Sequence, residues 1–147
     1  MEIKILSFDE LDNDQLYALL KLRVDIFVVE QNCPYPELDN KDQTALHMLG
    51  TQSNELVAYL RVYFNMDAAV IGRIITHEKH RKKGLSSQLI EEAMNYIKNH
   101  SSSKSIKLQA QEHLVSYYSR FGFKPVSDRY VWDGIPHIDM EIEIRKT

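Results

Sequence analysis

The stretch that most restricts the fold is residues 69–86: an apolar, β-branched run ending near Thr76, a basic turn reading R-K-K-G-L-S over 81–86, and the start of a helical stripe. Leu85, Leu89, Ile90, Ala93, Met94 and Ile97 recur at the three- and four-residue spacing that gathers side chains on one helix face. A buried strand feeding a helix through a tight turn collects unpaired backbone N–H groups, and the helix dipole adds about half a positive charge beside them. Gly84 lets the backbone approach an anion with no side chain in between, while Lys79, Arg81, Lys82 and Lys83 supply charge around it. By composition alone such a turn also reads as solvated surface; the apolar strand in front of it favours a diphosphate site. Neither G-x-x-x-x-G-K-[ST] nor G-x-G-x-x-G occurs, so the phosphate would belong to a ligand other than a Walker-loop nucleotide or a Rossmann dinucleotide.

The remaining pattern builds a sheet around this unit. Ile3 and Ile5 alternate with charge as in an edge or near-edge strand, and Asp12 with Gln15 makes a capping box before the helical series Leu16, Leu20, Val24 and Phe27. Leu19, Leu22 and Ile26 make that helix apolar on more than one side. Residues 31–43 hold Pro34, Pro36, Asp39, Asn40 and Asp42, the composition of a long ordered loop or irregular helix, and loops of that length are usually functional. Strands are expected at 45–50, 56–64 and 69–76 as an antiparallel meander, with a further strand at 106–110. A short helix carrying Leu114, Tyr117, Tyr118 and Phe121 should stop at Gly122, and two closing strands should lie around Tyr130 and Met140. This order predicts an α/β (α+β) fold over 1–147: one domain with a mixed, mostly antiparallel twisted sheet of about seven strands and helices on both faces.

Composition excludes several function classes. A chain of 147 residues, 44% hydrophobic, can bury one core without crosslinks, and a net charge of −3 gives no general attraction to nucleic acid. Cys33 is the lone cysteine, so no intrachain disulfide and no zinc spacing exist; a metal-free protein of the reducing cytoplasm is expected. No run approaches the roughly 20 apolar residues of a membrane span, and no secretory segment is evident.

Three further stretches carry a family resemblance. Y-Y-S-R-F-G-F at 117–123 follows Gln111 at a fixed distance; L-R-V-D-I-F-V-V-E-Q-N-C-P-Y-P-E-L-D fills 22–39, and D-G-I-P-H-I-D-M fills 133–140. Together with R-K-K-G-L-S, they make the chain resemble the GNAT superfamily of acetyltransferases, and its ElaA-like branch, over essentially the whole length. Arg81 and Gly84 match the superfamily's acetyl-CoA signature; Ser86 stands where Gly or Ala is preferred.

The resemblance implies acetyl-CoA as acyl donor, held by Ile74, Ile75 and Thr76 along the pantetheine arm and thioester, by Arg81, Lys82, Lys83, Gly84, Leu85 and Ser86 at the diphosphate, and by Gln111. Tyr118 aligns with the family's general acid, which protonates the departing thiolate. Phe27, Glu30, Gln31, Asp39, Asp42 and His47 would border the acceptor side. Glu30 and His137 are the candidate bases, although a helix-end contact for Glu30 and a satisfied strand histidine for His137 explain the same residues. Cys33 reads as a structural thiol, so direct transfer to a small-molecule or peptide amine in a ternary complex is expected. The competing reading is a non-catalytic acyl-CoA sensor of the same fold. Both a monomer and a homodimer fit the aromatic carboxy-terminal strands.

Overall fold

Side-chain alternation along one central strand explains how the molecule is layered. In β3 (Glu55–Asn65), Ala58 and Leu60 face a core with the helix α2 (Leu85–His100), whereas Tyr59, between them, faces a second core with α1 (Asn13–Arg23). A strand buried on both faces needs helices on both sides, as expected. On the first face α2 contributes Leu85, Leu89, Ile90, Ala93 and Ile97, all buried, and each of the Leu and Ile side chains is worth about 1.5–3 kcal/mol of transfer free energy. On the second, Leu19, Leu22 and Ile26 meet Leu49, Tyr59 and Ile75.

The computed structural model describes residues 1–144. Among these, the other strands are β1 (Glu2–Ser7), β2 (Leu46–Gln52), β4 (Ala68–Thr76), β5 (Ser105–Gln111), β6 (Lys124–Pro125), β7 (Tyr130–Trp132) and β8 (Ile135–Glu143). They form one sheet in the order β1-β2-β3-β4-β5-β8-β6, with β7 also paired to β8. Every pairing is antiparallel except β4 with β5. β1 is the edge strand anticipated, and β2 to β4 form the meander. The strand beyond the expected seven is β6, two exposed residues too short to show an alternation.

The first helix departs from the periodic reading at Val24. Asp12 caps it as foreseen: Gln15 N–H donates to Asp12 Oδ1 at 2.7 Å and Asp12 N–H to Gln15 Oε1 at 3.0 Å. From Val24 to Glu30, however, the helix widens into a π-helical segment, with Gln31 N–H reaching Ile26 C=O and Cys33 N–H reaching Val28 C=O, five residues back. The β-branched and aromatic run V-D-I-F-V-V crowds a normal α-turn, and π-turns are frequent at functional sites. Among the described residues no helix is long and apolar enough to cross a membrane.

Candidate active site

The site begins with a bulge. Along β3 and β4, Tyr59 pairs with Ile75 and Arg61 with Gly72, so Leu60 faces both Arg73 and Ile74. Arg73 absorbs the extra residue at φ 53°, a left-handed conformation uncommon outside glycine. The bulge swings β4 away from β5: the two pair only at Ala68–Ser105, Ala69–Ile106 and Val70–Lys107. Beyond Val70 the strands diverge, leaving the β5-facing backbone of residues 71–76 open on a cleft. Open backbone donors beside a reacting carbonyl can hold a developing oxyanion, an effect worth on the order of 3 kcal/mol.

The cleft has two lobes that meet at Ile74, Ile75, Thr76, Arg81, Leu114 and Tyr118. One, of about 490 Å³, lies over the basic turn and the start of α2. Lys82 (φ 65°) and Gly84 (φ 74°) both turn left-handed there, and no atom lies within 4 Å of where a Gly84 Cβ would stand. Residues 84–87, at the head of a 16-residue helix whose first N–H groups have no intrahelical acceptor, line this lobe, as a bound diphosphate needs. Ser86 shares its hydroxyl with Thr76 and Ser87 with Tyr117, ties that join α2 to β4 and to α3 (Val115–Ser119).

The other lobe, of about 480 Å³, lies between the π-helical segment, the following loop, β4, β5 and β8. Its wall is fixed by buried charge. Arg23, fully buried, donates to Glu37 (3.0 and 2.6 Å) and to Asp42 Oδ1 (2.7 Å). Arg61 donates to Asp42 (2.9 Å) and to both oxygens of Asp39 (2.9 and 2.5 Å), and Arg73 reaches Glu37 (2.7 Å). The guanidinium groups hold the carboxyls of Asp39 and Asp42 below their usual range despite burial. Loop 31–42 is thereby pinned to β3 and β4.

Tyr118, 7% exposed and on the short helix α3, lines both lobes. Burial pushes its phenol above the ordinary range, so it stays protonated and able to donate at neutral pH. His137, on β8, lines the second lobe between Tyr130, stacked at 6.0 Å, and Trp132, edge-on at 5.7 Å. Its Nδ1 lies 2.7 Å from Ile135 C=O; a carbonyl only accepts, so Nδ1 carries the proton, and in the neutral tautomer this selects the lone pair is on Nε2. Glu30 lines the second lobe and is gripped by Arg81, whose hydrogen bonds lower its pKa.

Several expectations need correction. Asp42 and His47 do not line the cleft. Asp42 is consumed by Arg23 and Arg61, and His47 is fully buried, accepting from Tyr59 O–H at Nδ1 (2.6 Å) and donating from Nε2 to Asp42 C=O (2.9 Å). Lys83 lines neither lobe. Gln111, expected to help hold acetyl-CoA, lines the second lobe alone, 3.4 Å from Gln31. Glu30, kept ionised by Arg81, is suited to attract a cation more than to take up a proton. Phe27, Gln31 and Asp39 line the second lobe, and Arg81, Lys82, Gly84, Leu85 and Ser86 line the lobe over the turn.

Residues the periodicity did not flag include Tyr35, Lys41, Tyr63 and Arg73 around the second lobe and Arg120 beside the turn. Only Tyr35 and Lys41 carried a signal, lying in the Pro- and Asp-rich loop. As for metals, Glu55, His77 and His80 each bring a ligand atom within 4.8 Å of the others. There Lys79 N–H donates to His77 Nδ1 at 3.2 Å, so the ring turns a proton, not a lone pair, towards Glu55.

Comparisons with known proteins agree with this geometry. Residues 23–144 match the acetyltransferase (GNAT) domain. The chain is 43% identical to Protein ElaA of Escherichia coli over 98% of its length and 97% of that protein's. The crystal structure of that protein superposes with a TM-score of 0.91, covering 96% of this chain and 99% of that one. An acyl-CoA N-acyltransferase from Pseudomonas aeruginosa, 37% identical, gives a TM-score of 0.91 over 95% and 97% of the two chains. A GNAT family acetyltransferase from Elizabethkingia anophelis with acetyl-CoA bound shares the fold at 15% identity, with a TM-score of 0.68 over 97% of each chain.

Proposed function

The chain belongs to the GNAT acetyltransferase family and is an acyltransferase that draws its acetyl group from acetyl-CoA and passes it to an amine; from that premise we propose that a primary amine attacks the thioester directly where the two lobes meet. The single observation that carries this reading is that Tyr118 and the open backbone of residues 74–76 belong to both lobes at once. Donor and acceptor can therefore be held together, and fixing two reactants in contact removes much of the entropic barrier to their reaction.

In this reading the lobe over the basic turn takes coenzyme A, its diphosphate meeting the N–H groups at the start of α2 beside Lys82, and its thioester lying along β4. The occurrence of this fold with acetyl-CoA in the Elizabethkingia protein supports that choice. The ammonium form of the acceptor is drawn into the other lobe by carboxylate and aromatic groups. His137 Nε2 takes a proton from the nitrogen, directly or through one water, and the lone pair adds to the carbonyl carbon. Backbone N–H groups of β4 hold the resulting oxyanion. As the C–S bond breaks, Tyr118 gives its proton to the sulfur, since a bare thiolate is costly in the same apolar surroundings. The acylated nitrogen loses its second proton to solvent, from which Tyr118 regains one, and His137 releases the proton it took, so that one proton is freed in all. Cys33 takes no part: its Sγ is buried and donates to Asp133 C=O at 3.2 Å. Within one domain, and with one free buried cysteine, the setting that suits this chemistry is the reducing cytoplasm.

The test is thiol release from acetyl-CoA across a panel of primary amines, with wild type, Tyr118→Phe and His137→Gln. Tyr118→Phe is expected to lower kcat by about 10²–10⁴-fold, the range for a lost general acid, with coenzyme A affinity unchanged. Tight acetyl-CoA binding without transfer to any amine would favour the sensor reading instead.

A further inference from the structure

Arg81 stands first in the basic turn, yet each of its guanidinium nitrogens already donates within the protein. Nε donates to Thr76 C=O at 3.3 Å, and the two terminal nitrogens donate to Glu30 Oε1 at 2.8 Å and Oε2 at 2.6 Å. This fork joins residues 51 positions apart, tying the end of the π-helical segment to the end of β4, beside which the thioester would lie. Arg81 lines both lobes; Glu30 lines the acceptor lobe alone.

Both side chains are about two-fifths exposed, and pairs that open to water contribute little to stability. What a bidentate pair does supply is direction: it fixes the plane of the carboxylate. Each oxygen of Glu30 has further lone-pair capacity after accepting from Arg81, enough to accept from an ammonium in the acceptor lobe. The carboxylate stays ionised, which suits that task.

We infer that Arg81 is a positioning residue of the acceptor site, holding the Glu30 carboxylate where it receives the incoming ammonium, and is not a ligand of the diphosphate. The diphosphate is then left to the backbone of residues 82–86, to Lys82, and to Arg120, which borders the turn from beyond α3. The inference rests on the transferase reading above and deepens it.

The experiment pairs coenzyme A calorimetry with steady-state kinetics on a primary amine from the acceptor panel, for wild type, Arg81→Gln, Arg81→Lys, Glu30→Gln and the Arg81→Gln/Glu30→Gln double variant. Arg81→Gln and Arg81→Lys should bind coenzyme A within about threefold of wild type, while the amine KM rises about tenfold or more with kcat nearly unchanged, the signature of lost substrate binding. Glu30→Gln should show the same split, and the double variant should add nothing to it. A coenzyme A affinity that falls tenfold in Arg81→Gln and returns in Arg81→Lys would overturn the inference, because a phosphate ligand needs only the charge. An unchanged amine KM in Arg81→Gln would overturn it equally. A wild type that moves acetyl to no amine would remove the transferase reading and this inference together, whereas either of the former results in an active enzyme removes the inference alone.

Discussion

Replacing Arg23 with alanine removes a guanidinium with no solvent exposure, together with its bonds to Glu37 and Asp42. Breaking one partner of a buried ion pair typically costs about 3–5 kcal/mol, because the charge left behind is no longer compensated. Here neither carboxylate is left alone. Glu37 retains Arg73 at 2.7 Å and Tyr35 O–H at 2.6 Å, and Asp42 retains Arg61 at 2.9 Å. That places the loss at the lower end, about 3 kcal/mol, with the emptied space against Tyr59 preventing it from being smaller. With urea slopes of about 1–3 kcal/mol/M for small proteins, the unfolding midpoint should fall by about 1–3 M. Urea titration followed by circular dichroism measures it directly. The exposed pair Lys21–Asp25 is the control: its 2.6 Å separation matches that of the buried pair, yet Lys21→Ala should leave the midpoint unmoved. Equal shifts for the two substitutions, or a loss below about 1 kcal/mol for Arg23→Ala, would refute the reasoning that burial rather than distance sets the contribution.

Three other outcomes are expected. Burial holds the pKa of His47 below 6.5, and guanidinium contacts hold Asp39 and Asp42 below 3.8, so in each case the unfolded chain binds the proton more readily. Their contributions are complete above those unfolded values and are lost as pH falls: urea midpoints should decline below about pH 6.5 and again below about pH 4, and a flat profile between pH 7.5 and 5.5 would contradict the role given to His47. Gly122, at φ 99°, would place a new Cβ 2.8 Å from Ile142 Cδ1, so Gly122→Ala should destabilise by about 1–3 kcal/mol; a thermal melt with no shift would argue against that strain. Cys33→Ser should leave kcat within about threefold, since the thiol is given no step; a loss near 10²-fold would point to a covalent acetyl-enzyme.

Sequence carried the parts of this molecule that local chemistry decides. The capping box at Asp12, the stripe from Leu85 to Ile97 and the meander each follow from spacing, and each forms as expected. The GNAT signatures pointed to Tyr118 and Gly84, and both line the cleft, because each lies within a few residues of the turn that positions it. The acceptor side was less legible, since its geometry depends on contacts between distant segments. Asp42 and His47 are polar residues in a loop-to-strand region, the usual mark of a site; only the arrival of Arg23 and Tyr59 from other elements turns them into buried structure. The left-handed Arg73 breaks no propensity rule that a periodicity scan registers, yet it opens the cleft. Likewise the grip of Arg81 on Glu30 spans 51 residues, and the motif around Arg81 suggested a phosphate partner instead.

The central claim is that acetyl-CoA binds over the turn at 81–86 and reaches the seam at Tyr118. Calorimetric titration of acetyl-CoA into wild type and Gly84→Val tests it most directly, because valine is strained at φ 74° and would project into space that is open in the structure. The wild type should bind at one site, and the variant with an affinity at least about tenfold weaker, a loss of about 1.4 kcal/mol or more. Equal binding by the two proteins, or none by the wild type, would contradict it.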